Sequence, residues 1–183
     1  PGEVSLAAIN TPDCVTVSGD EEAVTGLLAR LAKDKIKSRR LAIAHAFHSS
    51  SMAPMVEGFE KVAAQTEFRS PQAHFYSTVT GDLLPARDVI SPKYWATQIL
   101  QPVRFLGAVQ ALARDGYGTF LEIGPSDTLT AFARQCLGAK AGLTISSLRQ
   151  GLPDWTRLTA SAAALYVHGM DLEWEGFDRP YKR

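Results

Sequence analysis

The chain has 183 residues, and its 19 lysines and arginines balance 19 aspartates and glutamates. That length fits one domain, or one domain plus an appendage. The apolar share of 45% and charged share of 21% are those of an ordinary globular protein, and the balanced charge argues against nucleic acid or an anionic membrane as partner. Cys14 and Cys136 lie far apart in apolar contexts, which is neither a disulfide framework nor a metal-ligand cluster and suits a reducing compartment. No apolar run approaches a membrane span and Pro1-Gly2-Glu3 does not resemble a signal peptide, so a cytoplasmic location is expected. Because residue 1 is not methionine, either the start was processed or the chain is a piece of something longer.

Residues 4–9 and 14–17 suit strands, separated by the turn signal Asn10-Thr11-Pro12-Asp13. Residues 21–33 predict an amphipathic helix with Ala23, Leu27, Leu28 and Leu31 on its buried face and Glu21 and Glu22 at the positive end of its dipole. A third strand is expected over 39–44. The opening thus reads strand, strand, helix, strand, a small α+β unit lacking a strand and helix in front. A helix over 50–65 places Met52, Met55, Phe59 and Val62 on one face. A strand over 75–79 ends at Thr80-Gly81-Asp82. Ser91 and Pro92 start a helix as cap and first helical residue. A further helix comes after Gln101-Pro102-Val103-Arg104-Phe105 and ends near Asp115-Gly116. A buried strand over 119–123, a turn at Gly124-Pro125, a helix over 129–137 and a strand over 144–148 complete this part. Beyond the break at Gln150-Gly151-Leu152-Pro153 come a helix over 154–168, a short extended piece over 171–174 and a basic end over 179–183. Residues from 149 onward read as a linker packed on the domain surface. The two basic stretches, 33–40 and 179–183, are either solvated surface or a docking patch for an acidic partner.

The run His45-Ala46-Phe47-His48-Ser49 carries the most chemistry. It sits where an apolar segment ends and a helix begins, a junction that can hold a histidine rigidly against a cleft, as a general base requires. His45 and His48 are three apart, a spacing that could bind metal on a helix, but no third ligand is evident, since His74 and His168 sit in unrelated contexts. No metal is expected. Ser49, Ser50 and Ser51 read as helix cap and first turn rather than as a nucleophile. Ser18, in Val-Ser-Gly-Asp, lacks the first glycine of a nucleophile elbow. The residues supply a base without a convincing nucleophile.

That run, Tyr94-Trp95, Gln98-Ile99-Leu100-Gln101-Pro102-Val103-Arg104-Phe105 and Phe120-Leu121-Glu122-Ile123-Gly124-Pro125 occur in an order and spacing that resembles the C-terminal half of a malonyl-type acyltransferase domain of a modular polyketide synthase. Ala7-Ala8-Ile9-Asn10-Thr11-Pro12 and Val15-Thr16-Val17-Ser18-Gly19 resemble strands of its ferredoxin-like insert, and the segment from Trp174 to the end resembles the linker that comes after such domains. The resemblance implies an α/β fold, part of an α/β-hydrolase-like large subdomain with an incomplete ferredoxin-like small subdomain. It assigns 1–47 to the small subdomain, 48–148 to the C-terminal part of the large one and 149–183 to the linker.

The chemistry implied is two-step acyl transfer: a serine in a Gly-His-Ser-x-Gly elbow takes malonyl from malonyl-CoA, and the phosphopantetheine thiol of an acyl carrier protein then takes it from the serine. No tightly bound cofactor is implied. His48 matches the catalytic histidine, base and then acid. Gln98 falls where a main-chain carbonyl, rather than a triad aspartate, orients that ring, so its side chain should be replaceable. Phe47, in His-Ala-Phe-His, matches the malonyl-accepting pattern, with His45 beside it and Asn10 a weaker pocket candidate. The Glu122-Ile123-Gly124-Pro125 strand end is structural. The elbow, the arginine that grips the malonyl carboxylate and the oxyanion donors precede residue 1 in the family. A fragment folded against a missing N-terminal half is therefore expected, inactive and poorly stable alone, with ketosynthase and other synthase domains as further partners. A non-catalytic scaffold for a carrier protein, or the malonyltransferase of a fatty acid synthase, are the alternatives.

Overall fold

The computed structural model describes residues 2–89 and 91–179; the basic stretch over 180–183 lies outside them. The chain opens on an antiparallel hairpin, β1 (Val4–Thr11) and β2 (Cys14–Gly19), turning at Pro12 and Asp13. Its register slips between Leu6 and Ala8 and again between Ile9 and Thr11, irregularities that bend and twist a ribbon. Asn10, expected in the turn, lies inside β1. The helix α1 (Glu21–Lys33) is capped by Asp20, whose carboxylate accepts the Glu22 and Ala23 amides at 3.0 and 3.2 Å. Of its expected buried face, Ala23, Leu27 and Leu31 are half-buried, as is Leu28.

The strand expected over 39–44 does not form. A strand needs a ladder partner, and the free edge of β1 is taken by a different segment: the Ile9 amide donates to the Val103 carbonyl and the Val103 amide to the Ala7 carbonyl, both at 2.8 Å. Leu41 and Ile43 are left exposed, and the Ile43 amide turns back onto the Leu41 carbonyl at 3.0 Å.

A 3-10 turn, Ser50–Met52, leads into α2 (Ala53–Ala63), with Pro54 in the first turn where the missing amide costs nothing. Its packed side is Met52, Val56 and Ala63, while Met55, Phe59 and Val62 of the expected inner face are exposed. The strand β3 (Phe75–Ser77) pairs with β4 (Asp82–Leu84), a second strand that the sequence pattern did not signal. Gly81, at φ +78°, makes the turn possible. The short helix α3 (Ala86–Val89) precedes α4 (Pro92–Leu100), which packs against α2. Ser91 stands at the N-cap of α4, but its side chain makes no capping bond; its carbonyl takes the Tyr94 amide at 3.0 Å instead.

The helix α5 (Phe105–Arg114) carries the buried residues Ala108, Val109 and Ala111. It leads to β5 (Thr119–Glu122), α6 (Thr128–Leu137) and β6 (Leu143–Ser146), with β5 and β6 parallel and α6 in the connection between them. Glu122 ends β5 and holds the start of α6, accepting the Thr130 amide at 2.9 Å and the Ser126 hydroxyl at 3.1 Å. Parallel ladders are ordinarily covered on both faces, yet Leu121 and Ile123 here are 42% and 78% exposed. The helix α7 (Asp154–Val167) packs across the end of β6, where Arg157 and Ser161 both donate to the Ser146 carbonyl.

The extended piece expected over 171–174 gives way to a helical turn, α8 (Trp174–Asp178). Helical spacing brings Trp174 and Phe177 onto one side, with ring centroids 5.9 Å apart, while Trp174 also meets Tyr166 at 5.5 Å. An extended segment would send those two rings apart. The core is built mostly from alanines (7, 63, 96, 108, 111, 133 and 162) with Val89, Val109, Ile145 and Leu165, so the elements approach closely while many large side chains remain outside.

Candidate functional site

The histidine loop hangs between the β1–β2 hairpin and the C-terminal end of α4. The Ser18 hydroxyl donates to the Phe47 carbonyl at 2.6 Å, and the Ser50 hydroxyl to the Glu3 carboxylate at 2.6 Å. From the other side, the Ile99 carbonyl accepts the His48 amide at 3.0 Å. These tethers hold His48 at φ +61°, in the left-handed region. A residue with a β-carbon enters that region at a cost of about 1–2 kcal/mol, so the surrounding contacts impose the conformation.

The ring is fixed at one nitrogen. His48 Nδ1 lies 3.0 Å from the Gln98 carbonyl and 2.8 Å from the Gln101 carbonyl. Both neighbours are acceptors, so Nδ1 must carry the proton and share it in a three-centre bond. In the neutral ring Nε2 then keeps its lone pair, as a general base requires. The carbonyls come from the last turn of α4 and its C-cap residue, groups that lack partners within a helix. The Gln98 carbonyl also lies at the negative end of the helix dipole, whereas the extended Gln101 carbonyl points off the helix axis. The sequence points to the Gln98 carbonyl; Gln101 goes unmarked, its only signal being the proline after it.

The other candidates are spread around this ring. Phe47 is 43% exposed and meets His45 edge-on, with ring centroids 5.9 Å apart; His45 is itself exposed. Asn10 is half-buried and engaged: its side-chain amide donates to Thr16 Oγ1 at 3.1 Å, and its carbonyl accepts the Cys136 thiol at 3.1 Å. Burial pushes the Cys136 thiol pKa up, which keeps it protonated. The serines after the histidine are committed to structure. Ser49 is buried, and its hydroxyl turns back to the Ala46 carbonyl at 2.6 Å instead of capping the next turn. No Gly-His-Ser-x-Gly stretch occurs in the 183 residues. Among the described residues no group of three or more His, Cys, Asp or Glu could hold a metal, and no helix is long and apolar enough to cross a membrane. A hollow of about 610 Å³ lined by His74, Phe75, Leu84 and Tyr117 shares no residue with the His48 loop.

Residues 1–171 match the acyl transferase domain family. A spectinabilin polyketide synthase system protein, NorB, from Streptomyces orinoci is 37% identical over 180 residues, which are 96% of this chain and 8% of that protein. The mycoketide-CoA synthase of Mycobacterium tuberculosis is 39% identical over 172 residues, 94% of this chain and 4% of that protein. Among solved structures, the acyltransferase domain from the second module of the salinomycin polyketide synthase superposes with a TM-score of 0.87 at 34% identity, covering 94% of this chain and 40% of that one. A loading acyltransferase from the avermectin synthase superposes at 0.81 and 28% identity, covering 89% and 51%. The α/β architecture is accordingly that of the hydrolase-like large subdomain with part of a ferredoxin-like small one. With the family match over residues 1–171 and these relatives and structures alongside it, the chain belongs to the acyl transferase domain family as found in modular polyketide synthases, and it spans part of that domain.

Proposed function

We propose that this chain supplies the general base of a malonyl-transferring acyltransferase, working with a serine elbow that lies outside these 183 residues. The supporting observation is the ring of His48, held by two carbonyls at Nδ1 with Nε2 left to accept a proton. In the first step Nε2 takes the proton of the attacking serine hydroxyl as the oxygen bonds to the malonyl carbonyl carbon and the CoA thiolate leaves; the imidazolium protonates that thiolate. In the second step Nε2 takes the proton of the phosphopantetheine thiol, the sulfur attacks the acyl-serine, and the imidazolium returns the proton to the serine oxygen. Charge on the ring in each transfer is stabilised by the same carbonyl dipoles, where a triad would use a carboxylate. General base catalysis of this kind contributes about 10²–10⁴-fold.

Phe47, exposed at the edge of the loop beside His45, is proposed to exclude the methyl branch of methylmalonyl. One methyl group is worth roughly 1–3 kcal/mol of discrimination, about 10- to 200-fold. The carrier protein is proposed to dock on the exposed basic stretch over 33–40, with ketosynthase and other synthase domains as neighbours.

The test is to incubate the purified sample with malonyl-CoA, denature it and weigh every chain present. A malonyl adduct on an elbow-bearing chain, lost in His48→Asn, is the expected outcome; an adduct undiminished by that substitution removes His48 from the mechanism. Phe47→Ser should raise methylmalonyl against malonyl turnover, and an unchanged ratio defeats the selectivity assignment.

A further inference from the structure

The Gln101 carbonyl reaches His48 because the next residue is a proline. Gln101 has φ −78° and ψ 147°, an extended conformation immediately after the last helical residue of α4. Pro102 imposes this: the proline ring clashes with a helical residue before it and drives that residue to the extended region. The peptide plane between 101 and 102 therefore swings its oxygen out of the helix axis and onto Nδ1, at 2.8 Å. The next residue is fixed in turn. Val103 is clamped to β1 by the Val103 amide to Ala7 carbonyl and Ile9 amide to Val103 carbonyl bonds, both 2.8 Å, and the Arg104 amide is held by the Thr78 carbonyl at 2.6 Å. The strap from 101 to 104 thus runs from the histidine ring to the first strand of the ferredoxin-like unit.

We infer that Gln101 is a second positioning residue for His48, its carbonyl aimed by Pro102 and anchored through Val103 to β1, so that the small subdomain sets the orientation of the base. This rests on the reading of His48 as the base. It gives the strap a role that the Gln98 carbonyl alone would not require: a shift of β1 moves one of the two acceptors that hold the ring, while the other stays with α4.

Nuclear magnetic resonance of the 183-residue chain assembled with its elbow-bearing half, labelled at the histidine ring nitrogens and the main-chain carbonyls, tests this directly. In the unsubstituted protein His48 should be the Nδ1–H tautomer, and on acidification the carbonyl carbons of both Gln98 and Gln101 should shift as the ring gains its second proton. In Pro102→Ala the Gln101 carbonyl should no longer track the ring, the Gln98 carbonyl should still do so, and the Nε2–H tautomer should gain population. Pro85→Ala, at a turn outside the strap, should leave the His48 signals in place. Reconstituted transfer by Pro102→Ala should lose about 2- to 10-fold in kcat, the range of one hydrogen bond, with KM for malonyl-CoA unchanged. A folded Pro102→Ala protein with an unaltered His48 tautomer and a Gln101 carbonyl that still tracks the ring overturns the inference. Should that variant not fold, the unsubstituted protein decides: a Gln101 carbonyl that ignores the ring overturns it equally. Failure of the underlying reading shows separately, as transfer that survives His48→Asn.

Discussion

Replacing His48 by glycine should leave a more stable protein than replacing it by alanine. The usual order is the reverse, because glycine adds about 0.5–1 kcal/mol of backbone freedom to the unfolded chain. At φ +61° the balance changes. Alanine keeps the β-carbon and its left-handed cost of about 1–2 kcal/mol, whereas glycine sheds that cost. Both variants lose the same ring contacts to the Gln98 and Gln101 carbonyls, so subtracting one from the other isolates the backbone. The difference should favour glycine by about 0.5–1 kcal/mol. His48→Asn should lie near glycine, since asparagine tolerates this region, while losing the base. Urea unfolding monitored by tryptophan fluorescence measures all three. An alanine variant as stable as the glycine variant would refute the claim that the fold holds its base under strain.

Ser77→Ala should destabilise by about 1–3 kcal/mol, because it strips a partner from the Tyr94 hydroxyl and from the Val79 and Thr80 amides around a fully buried hydroxyl; calorimetry reads the loss. Gly142→Ala should cost a comparable 1–3 kcal/mol, since its β-carbon would overlap the Gly118 carbonyl where β5 and β6 begin, and a neutral substitution would disprove that close approach. The Arg114 guanidinium holds the Asp82 and Asp115 carboxyls below the usual carboxylate range, chiefly by direct hydrogen bonds. A lowered folded-state pKa contributes stability above the unfolded range near pH 4 that disappears as pH falls through the folded range. Arg114→Ala should therefore flatten the acid limb of a melting-temperature profile, and an unchanged limb would assign acid sensitivity elsewhere. Desolvation, then the hydrogen bond to Asp115, pushes the Tyr76 phenol up to about 12. The stability linked to that shift is present below about pH 10 and lost as pH rises through the folded value, and ultraviolet titration of Tyr76→Phe against the parent should identify the late-ionising group.

Local chemistry was legible wherever a rule acts within a few residues. The hydrophobic spacing over 21–33, the Ser91-Pro92 start of α4 and the Gly124-Pro125 end of β5 placed elements to within a residue or two. The order of the His-Ala-Phe-His-Ser run and the strands around it identified the family without any contact being known. Tertiary structure decided whatever depended on a partner distant in sequence. Residues 39–44 carry a strand pattern, yet Val103 occupies the edge of β1, so no ladder forms there. Residues 171–174 look extended, yet the rings of Tyr166 and Phe177 draw Trp174 into a helical turn. Ser49 and Ser91 stand at cap positions, but their hydroxyls answer to other neighbours or to none at the helix start. The base itself divides the same way. Sequence supplies the imidazole and the proline that bends the chain after α4. Only the fold brings the Gln101 carbonyl, 53 residues away, to the ring, because this main-chain acceptor, unlike the Gln98 carbonyl that the resemblance marks, exists as a site feature only through the geometry that aims it.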